Sequence, residues 1–185
     1  MQQEILLHIE KLTKENFDNF IDLLSECRES KKTRHLIITM INRLKKDAFS
    51  TSPKYEVYLG KIGVEWVAYI IIVMSYSTFI ALPCLLIDEL FVRENFRSLG
   101  IGAAMLQFCV RKAKKKGCGK IVLTVPARNK KAKNFFEFNE AVPIDSTCYQ
   151  MDLFEIKKGK RPGKMTYTDF IRKKRINKLS RVYFT

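Results

Sequence analysis

Residues 92–102 read VRENFRSLGIG and join an apolar segment to an amphipathic helix. The apolar segment, residues 84–92, contains two adjacent acids and is predicted to be a buried strand with a polar interruption. The helix is predicted over residues 103–116, because apolar residues recur there at helical spacing. Gly100 and Gly102 lie at its mouth, where missing side chains let a ligand approach free N–H groups at the positive end of the helix dipole. This arrangement predicts a phosphate or pyrophosphate site.

Two other glycine-rich phosphate motifs are excluded by their spacing. A Walker loop ends in Gly-Lys-Ser/Thr and a dinucleotide-binding turn has three spaced glycines, and residues 97–102 have neither. They match Arg/Gln-x-x-Gly-x-Gly/Ala instead, and residues 129–136, NKKAKNFF, match Asn-x-x-Ala-x-x-Phe-Tyr at all but the last position. These two motifs, in this order, resemble those of the GNAT superfamily of N-acetyltransferases. The resemblance covers residues 55–154.

The remaining patterns predict an α/β chain in the order β-α-α-β-β-β-α-β-α-β. This order fits the GNAT fold, a mixed and mostly antiparallel sheet with helices on both faces. Strands are predicted at residues 4–11, 55–59, 65–75, 84–92, 120–125 and 147–154, and helices at 13–30 (capped by Thr13), 32–48, 103–116 and 130–139.

An uncharged run of 22 residues, 66–87, is long enough to cross a bilayer. Polar residues interrupt it near 75–78, Pro83 follows, and β-branched residues dominate 67–73. Two buried strands joined by a turn explain these features better, so no membrane span is expected.

Net charge divides the chain into two predicted parts. Residues 157–185 hold eleven Lys or Arg and one acid, and so carry +10 of the net +15. We predict an acetyltransferase domain over residues 1–156 and a basic tail over 157–185, with a linker and a short amphipathic helix at 168–182. Such a helix can contact RNA, DNA, a ribosome or an anionic membrane surface, although a basic terminus is more often only solubilising or core-docking.

Cysteine and histidine usage gives no sign of a metal site. The five cysteines are odd in number and lack a CxxC pair, so we expect reduced thiols in a reducing compartment such as the cytoplasm. His8 and His35 are far in sequence from any cysteine or acidic cluster.

The resemblance implies acetyl-CoA as acyl donor and assigns residues to it. Val92 would hold the pantetheine arm through its backbone, with Phe91 beside it, and Asn129 would contact the cofactor. The pyrophosphate cradle would consist of Arg97, Leu99, Gly100, Ile101, Gly102 and Ala103. The lysines at 130, 131 and 133 could meet the 3′-phosphate or could simply be solvated.

Asp88 and Glu89 are the candidate proton acceptors. A buried, unpaired carboxylate is costly, so at least one must face water, a partner or the substrate. The resemblance aligns Asp88 with the Glu base of several small-amine acetyltransferases. Pairing with basic side chains, or binding of a cationic substrate, is an equally good interpretation.

The main departure from the family is Phe136, which stands where members carry a Tyr that protonates the leaving thiolate. Tyr149 or water could supply that proton. The sequence therefore predicts an N-acetyltransferase acting on a primary amine, either a small cationic molecule or a protein N-terminus or lysine. The alternative is a non-catalytic acyl-CoA-binding or RNA-associated module. No motif encodes the oligomeric state, and a homodimer stays open.

Overall fold

The computed structural model of the protein describes residues 6–31 and 35–144. Helices lie on both faces of one mixed sheet. The strands are β1 (Leu7–Lys11), β2 (Glu56–Ile62), β3 (Glu65–Ser77), β4 (Leu82–Val92) and β5 (Lys120–Leu123), and the helices are α1 (Phe17–Ser30), α2 (Ile38–Ala48), α3 (Ile101–Lys115) and α4 (Lys130–Phe138). A turn of 3-10 helix, Glu94–Phe96, separates β4 from the start of α3.

The sheet follows chain order, β1-β2-β3-β4-β5. The first four strands pair antiparallel, whereas β5 pairs parallel with β4. The connection through α3 is the helical crossover that a parallel pair requires. The predicted fold class is confirmed, and the uncharged run 66–87 forms β3, a hairpin turn and the start of β4. Among the described residues, no helix is long and apolar enough to span a membrane.

Two apolar clusters cover the two faces of the sheet. One contains Ile70, Ile72, Leu85 and Ile87 packed against α3, including Met105. The other packs Tyr69, Phe91 and neighbouring strand residues against α1. Alternation of side chains along β3 and β4 sends successive residues to opposite clusters.

The predicted start of the first helix at Thr13 is wrong. The helix begins at Phe17, with Asn16 as N-cap residue. The Asn16 N–H donates to Thr13 Oγ1 at 3.3 Å, and the Thr13 N–H donates to Asn16 Oδ1 at 2.7 Å. This reciprocal turn satisfies both amides outside the helix, and Asn16 is buried, so the chain cannot become helical earlier.

The other boundaries differ from prediction by a few residues. The second helix begins at Ile38, and β5 ends at Leu123 rather than at Val125. The predicted strand at residues 147–154, Tyr149 and the basic tail lie outside the described residues. The cysteines described, 27, 84, 109 and 118, are free thiols.

Candidate active site

Within residues 6–31 and 35–144, the carboxyl-terminal half of β4 has a free edge. β5 pairs with β4 only from Cys84 to Ile87 and ends at Leu123. From Asp88 to Val92, β4 therefore continues past its parallel partner. Backbone N–H and C=O groups on an unpaired strand edge can bind an extended ligand as an added strand would.

Val92 presents its backbone to that edge. The Arg93 N–H donates to Val67 O at 2.9 Å, which directs the peptide groups of Arg93 towards β3. Because peptide groups alternate along a strand, the N–H and C=O of Val92 face the other side. The Val92 carbonyl accepts a hydrogen bond from Arg97 Nε at 3.0 Å. Phe91 points away from this edge and packs on Tyr69, with ring centroids 5.6 Å apart.

The glycine-rich turn leads directly into α3. Ser98 and Gly100 both have positive φ, at 62° and 79°, and Gly100 is the N-cap residue. The first intrahelical bond runs from the Ala104 N–H to Gly100 O at 2.9 Å. The amides of Ile101, Gly102 and Ala103 therefore lie in the first turn, beyond the reach of intrahelical carbonyls. Together with the helix dipole, they form a site for an anion.

The two glycines of this turn differ in their surroundings. A Cβ on Gly100 would meet nothing within 4 Å, so its side-chain direction is open space. A Cβ on Gly102 would lie 3.2 Å from Phe135 Cε2 and 3.8 Å from Val92 Cγ2. Gly102 thus allows close packing of α3 against α4 and the end of β4. The side chains at 97 and 99 are about half exposed, whereas Ile101 is buried and offers only its backbone.

Asn129 is the N-cap residue of α4. Its Oδ1 accepts a hydrogen bond from the Ala132 N–H at 3.1 Å. The second motif of the sequence therefore begins with a helix cap, and its lysines at 130, 131 and 133 are exposed. Phe136 is partly buried against the α3 cluster and contacts Phe135 edge-on at 5.0 Å.

Asp88 occupies a β-bulge. Ile71 pairs with Glu89 and Ile72 with Ile87, so Asp88 is an extra residue in β4 without a partner in β3. A bulge bends a strand and redirects side chains, and bulges are frequent beside active sites. Asp88 is exposed and forms no ion pair with the described residues.

Glu89 is engaged by three donors on the α1 face. Lys31, the C-cap residue of α1, donates from Nζ to Oε1. Tyr69 Oη donates to Oε2 at 2.7 Å, and Cys27 Sγ donates to Oε1 at 3.5 Å. The Glu89 side chain is only 22% exposed.

The pKa values of this cluster fix its charge state. Burial raises the pKa of Glu89, but the hydrogen bonds from Lys31 and Tyr69 outweigh it and hold the pKa below its usual value. Burial and the Glu89 charge raise the pKa of the Tyr69 phenol. Burial also raises the pKa of the Cys27 thiol. Glu89 is therefore an ionised acceptor among protonated donors, and its negative charge is paired with Lys31.

Arg93, which directly follows β4, lies beside a shallow cavity of about 410 Å³. Its Nε donates to Glu26 at 2.8 Å, and its Nη1 donates to Glu65 at 3.2 Å. The cavity is lined by Glu26, Glu65, Arg93, Glu94, Asn95 and Phe96. Glu26 and Glu65 pair with Arg93, and Glu94 pairs with Arg97 at 3.8 Å, so three carboxylates against two guanidinium groups leave the rim with a small net negative charge.

The structure brings most of the predicted cradle together at the junction of β4 and α3. It separates the two acids, because Asp88 faces solvent while Glu89 is paired. Sequence reasoning missed Lys31 and Tyr69, which are 58 and 20 residues from Glu89. No local motif signals such distant partners. Among residues 6–31 and 35–144, no group of three or more His, Cys, Asp or Glu is arranged to hold a metal ion.

A comparison with protein families agrees with this geometry. The chain belongs to the Acetyltransferase (GNAT) family, whose sequence model matches residues 17–139. The resemblance inferred from the two motifs is thereby confirmed.

Individual relatives are more distant. The thialysine N-epsilon-acetyltransferase of Mus musculus is 27% identical in an alignment of 124 residues, which covers 63% of this chain and 72% of that protein. Among solved structures, a possible acetyltransferase from Clostridium difficile 630 has a TM-score of 0.71 and 16% identity, covering 82% of this chain and 99% of that one. An aminoglycoside N-acetyltransferase in complex with CoA has a TM-score of 0.68 and 10% identity, covering 83% and 99%. These structures show that the fold is shared.

Proposed function

We propose that the protein is an acetyl-CoA-dependent N-acetyltransferase that acetylates a primary amine by direct attack on the thioester. The observation that carries the proposal is the junction of β4 and α3, where a free strand edge meets an anion-binding helix start. An extended amide-containing arm fits the first feature and a pyrophosphate fits the second. Membership of an acetyltransferase family and a structural neighbour in complex with CoA support this choice of donor.

The residues of the turn hold the donor mainly through their backbone. The amides of Ile101, Gly102 and Ala103 donate to the pyrophosphate, and those of Leu99 and Gly100 flank it. Arg97 adds a positive charge beside them. The peptide groups of Val92 bind the pantetheine arm, and the Asn129 cap places the start of α4 nearby. Acetyl-CoA supplies the thioester, and these residues orient it towards the bulge in β4.

Asp88 is the candidate proton acceptor. Its carboxylate is exposed at the bulge and free of ion pairs within the described part of the chain, so it can accept a proton from an ammonium group. Glu89 is the weaker candidate, because three donors occupy its oxygens and its pKa is held low. Its role is to fix the bulge against α1 and Lys31.

The proton for the leaving thiolate must come from another group. Phe136 has no proton to donate, and the Tyr69 hydroxyl is buried and bonded to Glu89. Tyr149, outside the described residues, and water are the two sources that we propose.

A cationic amine is the acceptor that suits the charges. Asp88 and the net negative rim around Arg93 both attract cations. A relative that carries the name thialysine N-epsilon-acetyltransferase supports an amine of this kind. A polyamine, a lysine-like amine and a protein N-terminus or lysine side chain all meet this description.

The test is thiol release from acetyl-CoA against a panel of thialysine, lysine, spermidine and a peptide with a free N-terminus. We expect turnover with at least one amine at micromolar enzyme concentration, with amine-free reactions as the control. Acetyl-CoA binding without turnover on any amine would contradict the enzyme and favour the non-catalytic acyl-CoA-binding module, which the presence of Phe136 makes the second candidate.

The organisation of the whole chain completes the proposal. We assign residues 1–156 to the acetyltransferase domain and 157–185 to a basic tail with a linker and a short helix. We propose that the tail contacts nucleic acid or a ribosome and that the protein acts in the cytoplasm. A homodimer is an assembly to be tested.

A further inference from the structure

The end of the sheet opposite the proposed acetyl-CoA site carries a second surface. β3 and β4 are joined there by the hairpin turn 78–81, and α3 ends beside it. The Gly119 N–H donates to Pro83 O at 2.9 Å, and a Cβ on Gly119 would lie 2.7 Å from Ile80 Cδ1. The hairpin and the loop after α3 therefore form one continuous surface, which we call the hairpin end.

The hairpin end is strongly basic. From Arg111 to Lys120, which form the end of α3 and the start of β5, the sequence has six Lys or Arg and no acid. Lys112 and Lys116 both pair with Glu56 of β2, at 3.0 and 2.8 Å. The cations at this end that are exposed and form no ion pair with described residues are Arg111, Lys114, Lys115 and Lys120.

Exposed aromatic side chains lie beside these cations. Phe79 at the tip of the turn is 95% exposed, and Tyr76 of β3 is 59% exposed. Tyr76 pairs with Pro83, one residue before Cys84, and Cys84 pairs with Lys120. Exposed apolar side chains often mark an interaction site. Aromatic rings beside unpaired lysines suit a partner that carries both negative charges and planar rings that can stack.

We propose that the hairpin end binds single-stranded RNA. Lys114, Lys115 and Lys120 contact phosphates, and bases stack on Phe79 and Tyr76. Cationic grooves with exposed aromatic rings are the common means by which proteins bind single strands without reading their sequence. The unpaired lysines supply the phosphate contacts, and the protruding aromatic rings favour unpaired bases over a duplex.

The hairpin end is separate from the acetyl-CoA site. β4 has eleven residues, from Leu82 at the hairpin to Val92. At about 3.3 Å per residue, the ten steps between its ends span roughly 33 Å. The proposed RNA contact can therefore be removed without touching the cradle, and it does not depend on the proposed enzymatic activity.

The test uses the full chain and two variants of equal charge. The first, Lys114→Gln/Lys115→Gln/Lys120→Gln, removes three cations of the hairpin end. The control, Lys14→Gln/Lys46→Gln/Lys54→Gln, removes three exposed cations elsewhere and keeps residues 157–185 unchanged. Fluorescence anisotropy with a labelled 20-nucleotide poly-U RNA measures affinity from low to physiological salt.

We expect the first variant to bind at least about ten-fold more weakly than the control. The slope of log K against log salt should become shallower by about 2, since each lost phosphate contact on a single strand contributes about 0.7. Equal affinities of the two triple variants would overturn the proposal. So would a loss confined to phosphatidylserine vesicles with RNA binding unchanged, because a membrane would then be the partner.

Phe79→Ala tests the stacking contact separately. The side chain is exposed, so folding should be unaffected, as circular dichroism would verify. Binding of the single strand should weaken about five-fold, whereas binding of a duplex RNA of the same length should not change. An equal loss on both nucleic acids, or no loss on the single strand, would contradict base stacking at the hairpin end.

Discussion

Two adjacent carboxylates of β4 have different environments, and a bulge lies at the first of them. In a regular strand, Asp88 and Glu89 would point to opposite faces. The bulge leaves Asp88 without a partner in β3, and Glu89 points to the α1 face, where Lys31 and Tyr69 bind it. The sequence predicted that at least one of the two acids would face water, a partner or the substrate. It could not predict which one is paired, because the lysine is 58 residues away.

Asp88→Asn tests the assignment of the base. If Asp88 accepts the proton, kcat should fall by about 10²-fold, within the usual range for loss of a general base. Steady-state thiol release with saturating acetyl-CoA measures the effect. Asp22→Asn, an exposed change on α1, is the matched control and should retain full activity.

Glu89→Gln completes that comparison. It leaves Lys31 without its anionic partner, so thermal stability should fall while kcat falls less than in Asp88→Asn. A larger kcat loss in Glu89→Gln than in Asp88→Asn would show that the paired carboxylate is the base.

At the scale of elements, an ion-pair cluster joins β2 to α3. Glu56 accepts from Lys116 at 2.8 Å and from Tyr58 Oη at 2.6 Å, and it pairs with Lys112 at 3.0 Å. Burial raises the pKa of Glu56, but these donors outweigh it and lower the pKa from 4.5 to about 2. The cluster holds the carboxyl-terminal half of α3 on the sheet, and thereby the helix whose start forms the proposed cradle.

Glu56→Gln should lower the free energy of unfolding at pH 7 by about 1–3 kcal/mol, the usual range for a bond to a charged group. Because the folded pKa is depressed, this stabilisation is present above pH 4.5 and is lost as the pH falls towards 2. Urea unfolding of wild type and variant at pH 7 and pH 3 measures the difference. Glu10→Gln, an exposed change on β1, is the control. A difference that does not shrink at pH 3 would contradict the role of the charge.

The elements themselves were largely predictable. Helical spacing of apolar residues located α3 to within two residues at its start, and β-branched runs located β3 and β4. The start of α1 was missed because Thr13 and Asn16 are both good capping residues, and only their mutual hydrogen bonds decide between them. Local patterns thus identify elements, while competition between nearby caps sets their ends.

At the scale of the whole molecule, the five described strands lie in the sheet in chain order. They are linked by α1 and α2 between β1 and β2, by two hairpins, and by one crossover through α3. The glycine turn at the start of α3 was predictable because its residues lie within one stretch, 97–103, and its role as a pyrophosphate cradle stays a proposal. The free edge of β4 was not, since it depends on β5 ending at Leu123. The Glu89 cluster and the hairpin end were also beyond prediction, because tertiary packing assembles them.

The proposed acetyl-CoA site at the β4–α3 junction is tested by calorimetric titration with acetyl-CoA. The titration compares the wild type with Gly100→Glu and Gly117→Glu. Both glycines are left-handed, with φ of 79° and 68°, and neither has a neighbour within 4 Å of its Cβ direction. They lie at opposite ends of α3, so the two variants should suffer similar backbone strain. Only Gly100→Glu places an anion in the cradle.

We expect micromolar binding by the wild type and Gly117→Glu, and no measurable binding by Gly100→Glu. Equal affinity in all three proteins, or absence of binding by the wild type, would contradict the assignment of the β4–α3 junction as the acetyl-CoA site.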